Sequence, residues 1–491
     1  MHADHGRVGT ISGILGVGLV SLGGAWVLRN RSRVWARLRA FASEPDHAVN
    51  LAMTRIAFFA MTLYVLPWRD AHKWATLPEG LMIAPSGTQW MVDLGVLSSE
   101  VVRVLMVVLV VSAVTGIVGF FSRTSAWAFT TVAFYVMWIP QSFGKVDHSH
   151  HVLWFGLLLA IFPSGDALSI DSWRKGSPKR EPSRSYGVPL RAMWLLFGVM
   201  YFFPGFFKFV SGGLAWAFSD NLVFQAQITW LSMDQLPLVR LDQLPTPLVW
   251  AAGLGTLLFE MGFIFCMFSK RFRPWAALIG FVFHEATALF LLIGFDSLQL
   301  LYVCFLPWHE FLPAIRQRLP NALSKRSALV PKEFSSRARQ PVSEISAWSL
   351  VISTILVGFT ANMDAWPVST YPIFPAVDSP NAKSVEVVVT DLEGVQRNVI
   401  DDTDVLTWMP EYKMYRFLLA NIEDPSRSEA LSDLIACELG EPFSELAIYS
   451  NVVSSNVGEW ERPISRELTH SLETGFERGA VPESLAFQDC G

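Results

Sequence analysis

Ten apolar runs, at roughly 8–28, 51–67, 100–121, 125–140, 151–163, 190–210, 247–268, 275–294, 297–308 and 346–361, fill about half of the first 361 residues. In a bilayer each backbone N–H and C=O must be satisfied inside the protein, so a train of such runs folds as packed helices. Composition agrees with that reading. The chain is 52% hydrophobic and 16% charged, whereas soluble domains carry about 25% charged residues. Its 36 Phe and 19 Trp against 9 Tyr fit a lipid-facing, interface-rich polypeptide.

The loops carry an independent test of the topology. If the first run crosses inward, the inner loops 29–50, 122–124, 164–189, 269–274 and 309–345 hold 21 Lys and Arg. The outer segments up to residue 361 hold 5. Basic residues concentrate on the cytoplasmic side of membrane proteins, so this bias puts the N-terminus and the tail outside the cytoplasm. The first run has the length of a signal peptide but only Arg7 before it and five Arg soon after it, and it reads as a retained helix. Charge then shifts abruptly: residues 362–491 hold 8 basic and 23 acidic residues, a net of −15.

The expected fold is an all-α polytopic membrane bundle of about nine to ten transmembrane helices plus a small α+β extramembrane C-terminal domain. Its parts are an N-terminal helix and basic loop (1–44), a membrane domain (45–310), a basic loop with the last span (311–361) and the acidic outer domain (362–491). The sixth run, with Pro204 and Gly205 inside it, is expected to kink or break. In the tail, Val385–Thr390 followed by Asp391-Leu-Glu-Gly394 reads as a β-hairpin, and 403–421 and 425–439 as amphipathic helices.

Ionisable groups inside the apolar runs are costly, and so mark candidate function. Arg55 and Arg103 lie near helix ends and are expected to snorkel. Lys208 sits among aromatics in YFFPGFFKF, with Tyr201 and Gly205 on the same helical face. A desolvated lysine can serve as a general base; the structural alternative is a lysine that snorkels or pairs with Glu260. Glu260 in LLFEMGF and His284-Glu285 in FVFHEATALF lie on spans joined by a short loop, where mutual pairing or a proton relay are both open readings. The segment Asp147-His148-Ser149-His150-His151 opens the fifth run, with His148 and His151 on one helical face. Three imidazoles there allow a polar cap, a metal site, or acid/base and substrate-orienting roles, and no metal is assigned.

Other chemistries lack their motifs. No GxGxxG after a strand, GxxxxGK[ST], HExxH or GxSxG occurs, and Cys266, Cys304, Cys437 and Cys490 form no CxxC pair. Nucleic-acid binding has no support, because the basic residues follow the loops as topology demands. Cys437 and Cys490 fall together in the outer part, where an oxidising space would permit pairing.

In order along the chain stand Arg55, Asp147-His148-Ser149, Pro163-Ser-Gly-Asp166, Ser169-Ile-Asp171-Ser-Trp173, Tyr201-Phe-Phe-Pro-Gly205-Phe-Phe-Lys208, Trp216, Phe259-Glu260 and Phe283-His284. This set resembles the membrane domain shared by vitamin K-dependent gamma-carboxylases and their bacterial relatives, the HTTM (horizontally transferred transmembrane) family, over roughly residues 45–310. Trp366-Pro-Val-Ser-Thr-Tyr-Pro-Ile-Phe-Pro375 is similar to the tail of bacterial members.

The resemblance implies a lysine base that deprotonates a reduced quinone of the vitamin K or menaquinol type. The oxygenated quinol then removes a glutamate γ-proton, CO₂ adds, and the quinone epoxide leaves. Lys208 matches the base and His148 the histidine associated with the following step, while Tyr201, His151, Glu260 and His284 are supporting or substrate-binding candidates. Phe207 stands where the carboxylases have a second lysine, Asp147 where they have asparagine, and the large propeptide-gripping region has no obvious counterpart. Three functions are therefore carried forward: a quinol-linked carboxylase or epoxidase of the bacterial inner membrane, a non-enzymatic scaffold whose acidic domain recruits a periplasmic partner, and a transporter.

Overall fold

A computed structural model describes residues 28–474, apart from 145, 177–180, 234, 319–340, 361, 363, 371–380, 400–405, 407 and 455–462. The helices of the bundle are α1 (Arg31–Ser43), α2 (Ala48–Val65), α3 (Ser99–Val118), α4 (Ser122–Trp138), α5 (His150–Ile161), α6 (Arg184–Gly212), α7 (Asn221–Ser232), α8 (Thr246–Cys266), α9 (Arg273–Leu291), α10 (Trp308–Arg318) and α11 (Pro341–Phe359). Six of them, α2, α3, α6, α8, α9 and α11, are long and apolar enough to cross a membrane. The first apolar run falls outside the described residues but for Leu28.

The lipid-facing surface is legible on α3. Val104, Val107, Val111, Val114 and Val118 are all exposed, and their alternating spacing of three and four residues puts them on one stripe. Such a stripe is costly in water and favourable against acyl chains. The opposite face of α3 closes on α2 and α4, where Phe58, Phe59, Phe129 and Trp68 interlock edge to face.

Three expectations change. The run 297–308 is no span: it forms a short helix, Asp296–Gln299, and a 3₁₀ segment, Leu300–Phe305, buried against α2, α6 and α9. Non-helical backbone at this depth is tolerable because protein surrounds it. The sixth run does not break: it is continuous through Pro204 as the 29-residue α6. Proline deletes a single hydrogen bond there, and close packing on α8 holds the helix together. Arg55 does not snorkel. It is 0% exposed and donates to the carbonyls of Ser164 (2.7 Å) and Leu168 (2.6 Å), with longer contacts to Ala167 and Ile117. Burial of a guanidinium is acceptable when oxygens satisfy it. Arg103 is exposed and pairs with Glu100.

Arg55 thereby fastens α2 to the turn that follows α5. Asp171, in the short helix Ile170–Arg174 just after that turn, accepts from the N–H groups of Phe121 and Ser122 and from the Ser122 hydroxyl, capping the start of α4. Tyr186 of α6 donates to Asp166. The ordered motif residues of this region are thus one hydrogen-bonded clasp joining four helices.

The C-terminal domain is a four-stranded antiparallel sheet of order β2-β1-β3-β4, formed by β1 (Asn381–Asp391), β2 (Gln396–Asn398), β3 (Phe443–Ser454) and β4 (Pro463–Glu473). Two helices, α12 (Glu411–Ile422) and α13 (Pro425–Leu439), lie between β2 and β3 in sequence. The expected hairpin is β1–β2, with Asp391 Oδ1 accepting from the N–H groups of Glu393 and Val395 in the turn. The expected helix at 403–421 begins later, at Glu411, and residues 401–405 and 407 lie outside the described residues. β3 and β4 are additions that the sequence reading lacked. Cys437 is disulfide-bonded and Cys266 and Cys304 are free thiols; Cys490 lies outside the described residues.

Candidate functional site

α6 and α8 run against each other, and Gly205 sets how closely. A β-carbon at this position would lie 2.7 Å from the Cβ of Glu260 and 3.1 Å from the backbone nitrogen of Met261, so only glycine permits the approach. Across that contact Lys208 donates to both carboxylate oxygens of Glu260, at 2.6 and 2.8 Å. Lys208 is 4% exposed and Glu260 5%. The ammonium also lies 5.3 Å from the ring centre of Trp216, a cation–π contact.

Two turns earlier on α6, the Tyr201 hydroxyl is hydrogen-bonded to His284 Nε2 at 2.6 Å and to the Tyr302 hydroxyl at 2.5 Å. Phe259 and Phe263 of α8 pack on the Tyr201 ring, and Phe295 packs on His284. The other imidazole nitrogen, Nδ1, is buried without a hydrogen-bond partner. Two polar groups thus lie along one face of α6: a closed ion pair at Lys208 and an imidazole–phenol–phenol chain, His284–Tyr201–Tyr302, centred on Tyr201.

Of the pairings the sequence left open, the structure has Lys208 with Glu260 and not Glu260 with His284, which pairs with Tyr201 instead. Glu285, next to His284, is exposed and accepts from Gln299. Tyr302 was missed, because its run was taken for a lipid-spanning segment; a tyrosine in an otherwise apolar run was the available signal.

The histidine segment does not join this group. Helix α5 begins at His150, so His148 stands just before it, and His151 Nδ1 lies 3.4 Å from the His148 carbonyl. His151 is buried and its Nε2 has no hydrogen-bond partner. The contacts of the segment run to the C-terminal domain and its approach: Trp366 packs edge-on against His150, and Trp154 donates to the Pro367 carbonyl. Lys413 of α12 reaches down to Asp147 Oδ2 (2.8 Å) and the Pro140 carbonyl (3.0 Å), over the ring of Trp74. Gly144, at φ 89°, lets the backbone of Arg416 and Phe417 come within about 3 Å of where a side chain would be. Among the described residues no three His, Cys, Asp or Glu side chains group to hold a metal ion.

Comparison with known proteins bears on residues 43–309, which match the model of the HTTM domain. No curated protein and no solved structure matches the chain.

Proposed function

Because the chain belongs to the HTTM domain family, we propose that it is a membrane enzyme in which the Lys208 amine removes a proton from a lipid-soluble quinol. The observation that carries this reading is the buried Lys208–Glu260 pair. In a low-dielectric interior, moving one proton from ammonium to carboxylate cancels two charges without separating any, so the neutral pair is accessible. Glu260 in this reading stores the lysine's proton, and the free amine accepts the proton of a quinol hydroxyl, leaving an ammonium beside the quinolate. Trp216 and the phenylalanines of α6 and α8 supply the apolar, aromatic walls that a quinone ring requires.

Tyr201, His284 and Tyr302 are hydrogen-bonding candidates for the ring oxygens. His148 acts in a later step, and the Lys413–Asp147 contact orients its segment. A carboxylase or epoxidase in the bacterial inner membrane fits this chemistry. The disulfide at Cys437 and the basic loops support an extracytoplasmic place for the outer domain.

The test is turnover of vitamin K hydroquinone, menaquinol and ubiquinol by the protein in nanodiscs, with labelled CO₂ and glutamyl peptides. Wild type is expected to form epoxide and Lys208→Met to lose it. Epoxide formation that survives Lys208→Met ends the proposal.

A second reading, a scaffold for a periplasmic partner, is favoured by one observation. β4 is an edge strand of the sheet, with Ile464 and Leu468 exposed on it, and open edges accept added strands. Leu468→Lys is expected to block capture of an extended partner segment, and unimpaired capture would rule this edge out.

A further inference from the structure

On the face of the bundle opposite the C-terminal domain, α1, the beginning of α6 and the beginning of α11 enclose a groove of about 690 Å³. Its polar end holds Arg39, Ser43, Arg184 and Glu344. Glu344 accepts from Arg184 at 2.7 Å, but Arg184 Nε is buried with no partner, and Arg39 is exposed. Positive charge in the groove therefore exceeds what its one carboxylate neutralises.

The other end of the groove is apolar. Ile345, Trp348 and Ile352 line it at spacings of three and four residues along α11. Ile345 and Ile352 are 64% and 55% exposed, on a helix apolar enough to cross a membrane. This wall continues from the arginines toward the lipid-facing surface.

Helix α1 explains why the groove sits at a membrane surface. Val34, Trp35, Leu38, Phe41 and Ala42 share one face, while Arg33 and Arg37 lie on the other. Trp35 is 63% exposed and Leu38 38%, as in a helix lying in the headgroup layer.

We propose that this groove binds one acidic phospholipid, its phosphate held by Arg39 and Arg184 and an acyl chain laid along Ile345, Trp348 and Ile352. A phosphodiester needs cationic donors at the interface, and its chains need an apolar continuation into the membrane. The groove supplies both in that order. A free phosphate would use the arginines but has no use for the apolar wall. The site is separate from the chemistry at Lys208 and does not depend on it.

The experiment uses the full-length chain in a neutral detergent with phosphatidylglycerol or phosphatidylcholine added, and native mass spectrometry to count retained lipid. Wild type is expected to retain phosphatidylglycerol selectively. Each basic side chain at an anionic lipid surface is worth about fivefold in affinity, so Arg39→Gln lowers that retention about fivefold and the Arg39→Gln/Arg184→Gln double variant about twenty-fivefold. Retention of phosphatidylcholine stays unchanged. Arg184→Gln also unpairs Glu344 and can disturb folding, whereas exposed Arg39 gives a variant that folds. Equal retention of the two lipids by wild type, or retention of phosphatidylglycerol that ignores Arg39→Gln, overturns the proposal. Competition by soluble glycerol phosphate at the same concentration as the lipid overturns the lipid assignment, because the acyl wall would then contribute nothing.

Discussion

Lys208 and Glu260 face each other across the α6–α8 contact as a closed, buried pair, with the lysine nitrogen 2.6 and 2.8 Å from the two carboxylate oxygens. Removing either partner strands a charge in an apolar interior, at a cost of about 3–5 kcal/mol, while removing both leaves only a packing defect. Lys208→Met and Glu260→Leu are each expected to lower the thermal midpoint in detergent, and the double variant to recover most of the loss. A thermal double-mutant cycle measures this directly. Additive losses would show that the two residues are energetically independent and that the pair is incidental.

The second relationship is Lys413 with Asp147, which ties the outer domain to the segment holding His148. The lysine is buried and also donates to the Pro140 carbonyl, so Lys413→Met removes a donor from Asp147 and from that carbonyl. Hydrogen exchange is expected to rise together in 140–151 and in α12, because opening one surface opens the other. Asp147→Asn, which keeps an acceptor for the lysine, is expected to give a smaller change in the same segments. Exchange confined to α12 in Lys413→Met would mean that the outer domain rests on the bundle without holding it.

Much of this architecture was readable from the chain. Apolar runs and loop charges mark the membrane bundle because the bilayer imposes length and polarity on every crossing element. The β1–β2 hairpin was visible in alternation and a turn. Pairings across the bundle were less legible. Glu260 and His284 are both on neighbouring spans, and spacing along each helix says nothing of how the helices rotate about their axes. That rotation is set by small-residue contacts such as Gly205 against α8. Arg55 was misjudged for a related reason: its position near a helix end suggested water, but the turn after α5 folds back over it and supplies carbonyls. Nothing local to residue 55 encodes that turn.

The glycine contact itself can be tested. In Gly205→Ala the new methyl group meets the Cβ of Glu260 at 2.7 Å and the Met261 backbone at 3.1 Å, so the helices must separate. Overpacking of this kind costs about 1–3 kcal/mol. The thermal midpoint is expected to fall, and quinol turnover, where present, to fall further than stability accounts for, because the Lys208–Glu260 distances depend on this approach. A variant of wild-type stability would mean that α6 and α8 slide past the methyl group freely.

Asp171 gives the bundle a pH dependence outside its spans. Burial alone would push its carboxyl up, but hydrogen bonds from Ser122 and Phe121, with Lys175 nearby, hold it below the ordinary carboxylate value. A depressed folded-state value means that the folded chain binds the proton less readily than the unfolded chain does. The stabilisation is therefore complete above the unfolded value of about 4 and is lost as pH falls through the folded one. Asp171→Asn is expected to be less stable than wild type at pH 7, since a neutral amide cannot accept from both backbone N–H groups and the hydroxyl as a carboxylate does. The gap between the two proteins should then narrow as pH falls from about 5 toward 3. Thermal unfolding across that range decides the matter: a gap that stays constant with pH would show that the side chain's shape, rather than its charge, caps α4.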